Sequence, residues 1–144
     1  MNFSAVVVAA GSSTRAGPGA PKPWRSLGGR PILRWSVEAL SRAGAREIIV
    51  VTAPERTADA DEALAGLANW KAVPGGVTRA ESVQAGLAAL STPDEEAVLV
   101  HDAARPFVTS AHVQSLLVAL AEADGAVPAL PVADTLKRGV DIVA

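Results

Sequence analysis

The feature that most constrains this chain is a short, strongly apolar run at residues 6–9, which passes directly into a glycine-rich loop. The run is dominated by valine and is too short for a helix, as is typical of a strand buried on both faces of a parallel sheet. Similar strands are predicted at 47–51 and 97–100, and a short strand with a turn at 70–76.

Helical patterns lie between these strands. The first begins at Pro31, which suits the first turn of a helix, and it stops at Gly44. The second is an acidic, exposed pattern over residues 57–67. Strands that alternate with helices predict an α/β fold, in which a mostly parallel sheet carries helices on both faces.

Three more elements are predicted in the second half of the chain. Thr78 and Glu81 have the spacing of a capping box, and apolar residues follow at 83, 87 and 90. Apolar positions at 113, 116, 117 and 120 mark another helix, and residues 125–132 are predicted to form one more extended segment.

Composition excludes several classes of protein. The chain has 144 residues, 49% of them hydrophobic and 19% charged, with a net charge of −2 and no cysteine. This balance argues against a broadly basic nucleic-acid binder, and the missing cysteines exclude disulfides and thiolate metal sites. No apolar run approaches the ~18 residues of a membrane span, and the first residues lack the basic region of a signal peptide. We therefore expect one cytoplasmic domain over residues 1–144, with no nucleic-acid or membrane partner.

The loop behind the first strand is the main candidate site. It spans about twenty residues, 11–30, where strand-to-helix connections usually take about 2–6. It lies at the carboxyl edge of the sheet, where open α/β sheets bind ligands. Gly11 permits close backbone approach, the hydroxyls of residues 12–14 add donors, and Arg15 and Lys22 supply positive charge. These features predict a cradle for a polyphosphate.

Two familiar phosphate-binding patterns do not fit this loop. Lys22 lies between Pro21 and Pro23, which excludes the P-loop, and Ser13 occupies the second glycine position of the dinucleotide fingerprint. The alternative interpretation is a flexible surface loop with incidental cations.

The order "AAGSSTR", "PK" and "LGGRPIL" in the first third of the chain resembles the sugar-nucleotidyltransferase superfamily. "GGVTRAESVQAGL", "VLVHDAARPFV" and "PVADTLKR" narrow the resemblance to the 2-C-methyl-D-erythritol 4-phosphate cytidylyltransferase family. The resemblance covers the whole chain and implies a three-layer, Rossmann-like nucleotidyltransferase fold. It also implies transfer of CMP from CTP to a sugar-alcohol phosphate, methylerythritol phosphate, in non-mevalonate isoprenoid synthesis.

The resemblance implies roles for individual residues. Arg15 and Lys22 would be catalytic, because they would stabilise charge at the α-phosphate. The nucleotide would be bound by Ala9, Ala10, Gly11, Ser12, Ser13, Gly76, Arg79, Ser82, Asp102 and Ala103. The acceptor would be bound by Arg105, Asp134 and Thr135. Mg²⁺ would accompany CTP, held mostly by substrate phosphates, with Asp102 as the candidate protein ligand.

Some of these residues have simpler interpretations. Asp102 could cap the turn that follows it, Arg79 could be an exposed helix charge, and Asp134 and Thr135 could end a strand. His101 is interpreted as a packing or hydrogen-bonding residue in preference to a metal ligand, and His112 receives no role.

The chain departs from the family pattern at several points. Ser13 stands where glycine is common, Ala16 where a larger apolar residue is common, and "PKPWRSL" replaces "PKQYLxL". The chain stops at Ala144, whereas the family continues with an arm that begins near Lys137 and usually mediates dimerisation. The resemblance therefore implies the front part of such an enzyme, with weakened or altered self-association.

Three other functions stay open on the sequence. The acceptor could be another polyol phosphate, such as ribitol 5-phosphate. The chain could bind CTP without turnover, or it could be a regulatory or structural α/β module that needs neither CTP nor Mg²⁺.

Overall fold

A parallel sheet forms the centre of the computed structural model, which describes residues 1–11, 19–91 and 97–132, with backbone pairing also at 137–138 and 141–142. The strands are β1 (Phe3–Ala9), β2 (Ser26–Leu27), β3 (Arg30–Pro31), β4 (Ile48–Thr52), β5 (Trp70–Pro74), β6 (Ala97–Asp102), β7 (Lys137–Arg138) and β8 (Asp141–Ile142). The helices are α1 (Ile32–Arg42), α2 (Thr57–Ala63), α3 (Arg79–Ala88) and α4 (Ser110–Ala119). Within the described residues, the main sheet has the order β5-β4-β1-β6, and every neighbouring pair is parallel.

Burial is deepest in the two central strands, β1 and β4. Val6, Val7 and the apolar residues of β4 are 0% exposed. Successive side chains of a strand point to opposite faces, so Val7 packs with α1 and α4 in one core cluster, whereas Val6 belongs to a second cluster that includes Leu90 after α3. Helices therefore cover both faces of the sheet, as predicted, and three layers result.

Local signals explain where the first helix begins and ends. Pro31 is the N-cap residue of α1, and Gly44 follows the helix with a φ of +96°. Leu33, Val37 and Leu40 lie on one side of α1 and are fully buried or nearly so. The predicted helix is confirmed because its caps and its apolar spacing act within a few residues of one another.

Two helices differ from their predictions. Helix α2 ends at Ala63 and not at residue 67, since the chain turns at Gly66 with a φ of +81°. Helix α3 buries Ser82 and Gly86, while Leu87 stays 42% exposed, so small residues and not the larger apolar ones form its packing face. Residues 125–132, predicted to be extended, belong to none of the described sheets, and Val127, Leu130 and Val132 are exposed.

Among the described residues, no helix is long and apolar enough to cross a membrane. The parallel strands all end at one edge of the sheet, and the segments that follow β1, β5 and β6 meet there. This edge carries the candidate site.

Candidate functional site

A cleft of about 760 Å³ opens at the carboxyl edge of the sheet. It lies between the end of β1, the turn at Lys22, the start of α3 and the turn after β6. Eight residues with predicted roles line it: Ala10, Gly11, Lys22, Gly76, Arg79, Ser82, Asp102 and Arg105. Since these residues come from four separate parts of the chain, the fold assembles them.

Two residues predicted to bind nucleotide do not line the cleft. Ala9 is 2% exposed and Ala103 is 0% exposed, and both side chains belong to the main hydrophobic core. Their neighbours Ala10 and Ala104 line the cleft in their place. At the end of β1 the reason is that adjacent residues of a strand face opposite sides. Ala103 and Ala104 lie in the turn after β6, where the N–H of Ala103 donates to the carbonyl of Val8.

Five further predicted residues lie outside the described residues: Ser12, Ser13, Arg15, Asp134 and Thr135. Their roles stay predictions. The cleft also has lining residues that the sequence interpretation missed, namely Val8, Pro23, Val77, Thr78 and Ala104. Of these, Thr78 had a sequence signal, since its capping box marks the start of a helix at the site.

Lys22 reaches the cleft from a short 3₁₀ turn, Lys22–Trp24. The N–H of Trp24 donates to the carbonyl of Pro21 at 2.9 Å, and the N–H of Arg25 donates to that of Lys22 at 3.2 Å. Pro23 is buried, and Trp24 packs against the main core. The departure "PKPW" from the family pattern therefore builds a rigid support for the lysine.

The start of α3 is held by the predicted capping box. The Thr78 hydroxyl accepts from the N–H of Glu81 at 3.1 Å, and the Glu81 carboxylate accepts from the N–H of Thr78 at 2.8 Å. The hydrogen bond from the Thr78 N–H, the largest influence, lowers the pKa of Glu81. The box orients the first turn, from which Arg79 and Ser82 reach the cleft.

A glycine pair before α3 allows the chain to pass close to the end of β1. A Cβ atom added at Gly75 would lie 2.6 Å from the Ser82 hydroxyl and 2.9 Å from the Cβ of Ala10, and one added at Gly76 would overlap Glu81. The Ser82 hydroxyl is buried and donates to the carbonyl of Thr78 at 3.0 Å. Because residues 75 and 76 have no side chains, their backbone groups can approach a ligand closely, as nucleotide sites often require.

Asp102 and two arginines form a hydrogen-bonded triad of charges in the cleft. Arg79 donates to one carboxylate oxygen at 3.1 Å, and Arg105 donates to the other at 3.0 Å. Burial alone would raise the pKa of Asp102, but the hydrogen bonds from both guanidinium groups outweigh it and leave the pKa lowered. Asp102 is therefore ionised at neutral pH, and the triad carries a net positive charge.

Positive charge exceeds negative charge in the described part of the cleft. Lys22, Arg79 and Arg105 face a single carboxylate, Asp102, among its described lining residues. Excess positive charge in a concave site attracts polyanions and raises their local concentration. The arrangement suits a ligand with several phosphates.

The described residues contain no cluster of three or more His, Cys, Asp or Glu side chains that could hold a metal ion. The Asp102 carboxylate is nevertheless a partly exposed oxygen donor in the cleft. Mg²⁺ often takes one or two protein carboxylates together with substrate phosphates. Each oxygen of this carboxylate already accepts a guanidinium hydrogen bond, so Asp102 can serve at most as a single protein ligand to a Mg²⁺ ion held mainly by nucleotide phosphates.

Comparisons with known proteins agree with this geometry. The family model of 2-C-methyl-D-erythritol 4-phosphate cytidylyltransferase, IspD, matches residues 3–144. The chain is 60% identical over 139 residues to the bifunctional enzyme IspD/IspF of Caulobacter vibrioides, covering 96% of this chain and 36% of that protein. It is 44% identical to the 2-C-methyl-D-erythritol 4-phosphate cytidylyltransferase of Cereibacter sphaeroides, covering 96% of this chain and 63% of that protein.

Solved structures show the same fold. The bifunctional IspDF of Campylobacter jejuni superposes with a TM-score of 0.83 and 30% identity, over 100% of this chain and 37% of that one. A crystal structure of 4-diphosphocytidyl-2C-methyl-D-erythritol synthase gives a TM-score of 0.78 and 30% identity, over 99% and 66% of the two chains. The predicted nucleotidyltransferase fold is confirmed.

The chain spans roughly a third of the bifunctional relatives and under two thirds of the monofunctional one. Within that span, the family model matches residues 3–144, and the cleft brings together eight of the residues to which the resemblance gives roles. The chain belongs to the 2-C-methyl-D-erythritol 4-phosphate cytidylyltransferase family.

Proposed function

We propose that this chain transfers CMP from CTP to 2-C-methyl-D-erythritol 4-phosphate and releases pyrophosphate. The observation that carries the proposal is the cleft itself, in which Lys22, Asp102 and Arg105 share one positively charged space. Relatives named for this reaction support the choice of substrates. Through that reaction the chain would serve non-mevalonate isoprenoid precursor synthesis.

The chemistry requires charge neutralisation more than proton transfer. An oxygen of the acceptor phosphate attacks the α-phosphorus of CTP, and the bond from that phosphorus to the pyrophosphate oxygen breaks. The second pKa of a phosphate monoester is about 6, so the acceptor is already mostly a dianion at pH 7. A general base is therefore not needed, and the site must instead align the groups and offset their converging negative charge.

Lys22 lines the cleft and would offset that charge, and Arg15 keeps the role that the resemblance implies. An ammonium group is a compact charge that can follow a phosphate oxygen as bonds form and break. Preorganised groups of this kind contribute on the order of 3–4 kcal/mol, or 10²–10³ in rate. Both cations should therefore dominate turnover without contributing much to the stability of the fold.

Arg105 would bind the acceptor phosphate, and Asp102 would act at the triphosphate of CTP. Arg105 has a 77% exposed side chain, so its guanidinium can turn from Asp102 towards the acceptor phosphate. Asp102 would help to hold Mg²⁺ against the triphosphate, and the ion would supply further neutralisation of phosphate charge.

The direct test is a turnover assay. The chain is incubated with CTP, methylerythritol 4-phosphate and Mg²⁺, and pyrophosphate release is measured with a coupled enzyme while mass spectrometry identifies the product. Equal amounts of ribitol 5-phosphate replace the acceptor in a parallel reaction. A product formed only from methylerythritol phosphate is the expected result, whereas preference for ribitol phosphate would overturn the assigned acceptor.

A matched pair of lysine variants tests the role of the cleft. Lys22→Ala should lower turnover by at least 10²-fold. Lys71→Ala removes the same group from a surface ion pair with Glu47, away from the cleft, and should leave turnover nearly unchanged. Calorimetry with CTP completes the test, because binding without turnover would show a nucleotide-binding unit and not a transferase.

A further inference from the structure

The turn after β6, residues 102–105, carries two charged groups of the cleft. Two backbone hydrogen bonds shape it: the N–H of Ala103 donates to the carbonyl of Val8 at 3.1 Å, and the N–H of Arg105 donates to that of Asp102 at 3.0 Å. The carbonyls of Ala103 and Arg105 accept from side chains instead. Two side chains from outside the turn therefore bind its backbone carbonyls.

The first of these groups is the hydroxyl of Ser36. It donates to the carbonyl of Ala103 at 2.8 Å and comes from the middle of α1, 67 residues away in the chain. Ser36 is 0% exposed, so the bond is shielded from water. A buried hydroxyl on a helix that packs against the sheet gives the turn a rigid reference point.

The second group is the imidazole of His101, which lies 3.0 Å from the carbonyl oxygen of Arg105 through Nε2. A carbonyl oxygen only accepts hydrogen bonds, so Nε2 must carry the proton. Burial, the largest influence, lowers the pKa of His101. The hydrogen bond therefore places a hydrogen on Nε2, directed at the carbonyl of Arg105.

We propose that Ser36 and His101 are positioning residues that hold the turn at 102–105 so that Asp102 and Arg105 face the cleft. Neither side chain lines the cleft, so both act through the backbone that they bind. The inference rests on the proposed function, because the geometry that they preserve is that of the nucleotide and acceptor sites. A displacement of about 1 Å in such a turn can cost up to about 10²-fold in rate.

Conservative variants separate positioning from mere packing. His101→Gln keeps an N–H donor near the position of Nε2, whereas His101→Leu fills a similar volume without one. We expect His101→Leu to lower kcat/KM by about tenfold or more, and His101→Gln to restore it to within about threefold of wild type. Ser36→Ala should act in the same direction. The matched controls are His112→Leu and Ser115→Ala, whose hydrogen bonds lie within or beside α4.

Two measurements test the inference even if the variants are less stable than wild type. The ¹⁵N shifts of the His101 imidazole should show a protonated Nε2 at pH 7, and an Nε2 without hydrogen would overturn the inference. Kinetics and CTP calorimetry are run at a temperature where thermal melts show every variant to be folded. If His101→Leu lowers only the melting temperature and keeps wild-type kcat/KM, its role is structural and the inference is wrong.

The same measurements separate this inference from the proposed function. Wild-type chain that neither binds CTP nor turns over would end both proposals. Wild-type chain that is active, together with a His101→Leu variant that is equally active, would end only this one.

Discussion

Helix α3 packs against the sheet through Gly86, and replacement of this glycine by alanine is a sensitive test of the structure. A Cβ atom added there would overlap Cγ1 of Val6 and would lie 2.8 Å from Cγ2 of Val51. Both valines are 0% exposed and belong to the core cluster on the α3 face of the sheet. The helix must therefore move away from the sheet, or two buried valines must change position.

The expected size of the effect comes from two opposing terms. In an exposed helix, Gly→Ala stabilises by about 1 kcal/mol, because alanine has the higher helix propensity. In a packed core, one extra methyl group costs about 1–3 kcal/mol, and valine side chains are too stiff to yield easily. Since two valines are affected, we take the upper end and expect a net loss of about 2 kcal/mol. This corresponds to a melting temperature lower by about 4–8 °C.

Urea denaturation followed by circular dichroism measures this loss, with the midpoint and slope analysed together. Gln84→Gly is the matched control, because Gln84 lies exposed in the same helix. It should lose about 1 kcal/mol from propensity alone. CTP affinity of Gly86→Ala should fall as well, since α3 carries Arg79 and Ser82 at its start.

The sign of the change decides the outcome. If Gly86→Ala unfolds at a higher urea concentration than wild type, helix propensity has prevailed. In that case α3 is not in close contact with β1 at Gly86.

Three further predictions test other parts of the molecule. Lys22→Arg keeps the charge but changes its shape, and we expect turnover between those of wild type and Lys22→Ala in the pyrophosphate assay; full activity of the alanine variant would refute the catalytic role. Thr78→Ala removes half of the capping box and should cost about 1 kcal/mol in urea denaturation, while an unchanged midpoint would count against the cap. Burial alone would raise the pKa of Glu47, but hydrogen bonds from Ser91 and Lys71 outweigh it, so its pKa in the folded chain lies below the usual 4.5. Its contribution to stability is therefore complete above about pH 4.5 and is lost as the pH falls through the lowered value. Glu47→Gln should flatten the acid side of a plot of melting temperature against pH, and a curve parallel to that of wild type would contradict this.

Elements defined by local signals could be predicted from the sequence. The valine-rich run at 6–9 predicted a buried strand, and β1 extends it to Phe3–Ala9. Pro31 and Gly44 bound α1, and the Thr78 capping box begins α3, as expected. These predictions are confirmed because proline, glycine and capping side chains act on backbone within about one helical turn.

Packing between distant segments could not be predicted in this way. Leu87 was expected behind the capping box on the apolar side of α3, yet Gly86 and Ser82 form the buried face. The physical reason is the short distance between α3 and β1, which admits small residues and excludes leucine. The apolar segment at 125–132 was predicted only to be extended, because pairing into a sheet requires a partner that local sequence cannot provide.

By itself, the sequence determined the α/β alternation, the family and the set of charged residues available for the site. Only the tertiary structure decided which of these residues meet. Asp102 joins Arg79 across 23 residues of chain, and Ser36 supports Ala103 across 67. Ala104, not Ala103, faces the cleft. Hydrogen bonds and side-chain direction act over a few ångströms, so their partners are set by the fold and not by separation along the chain.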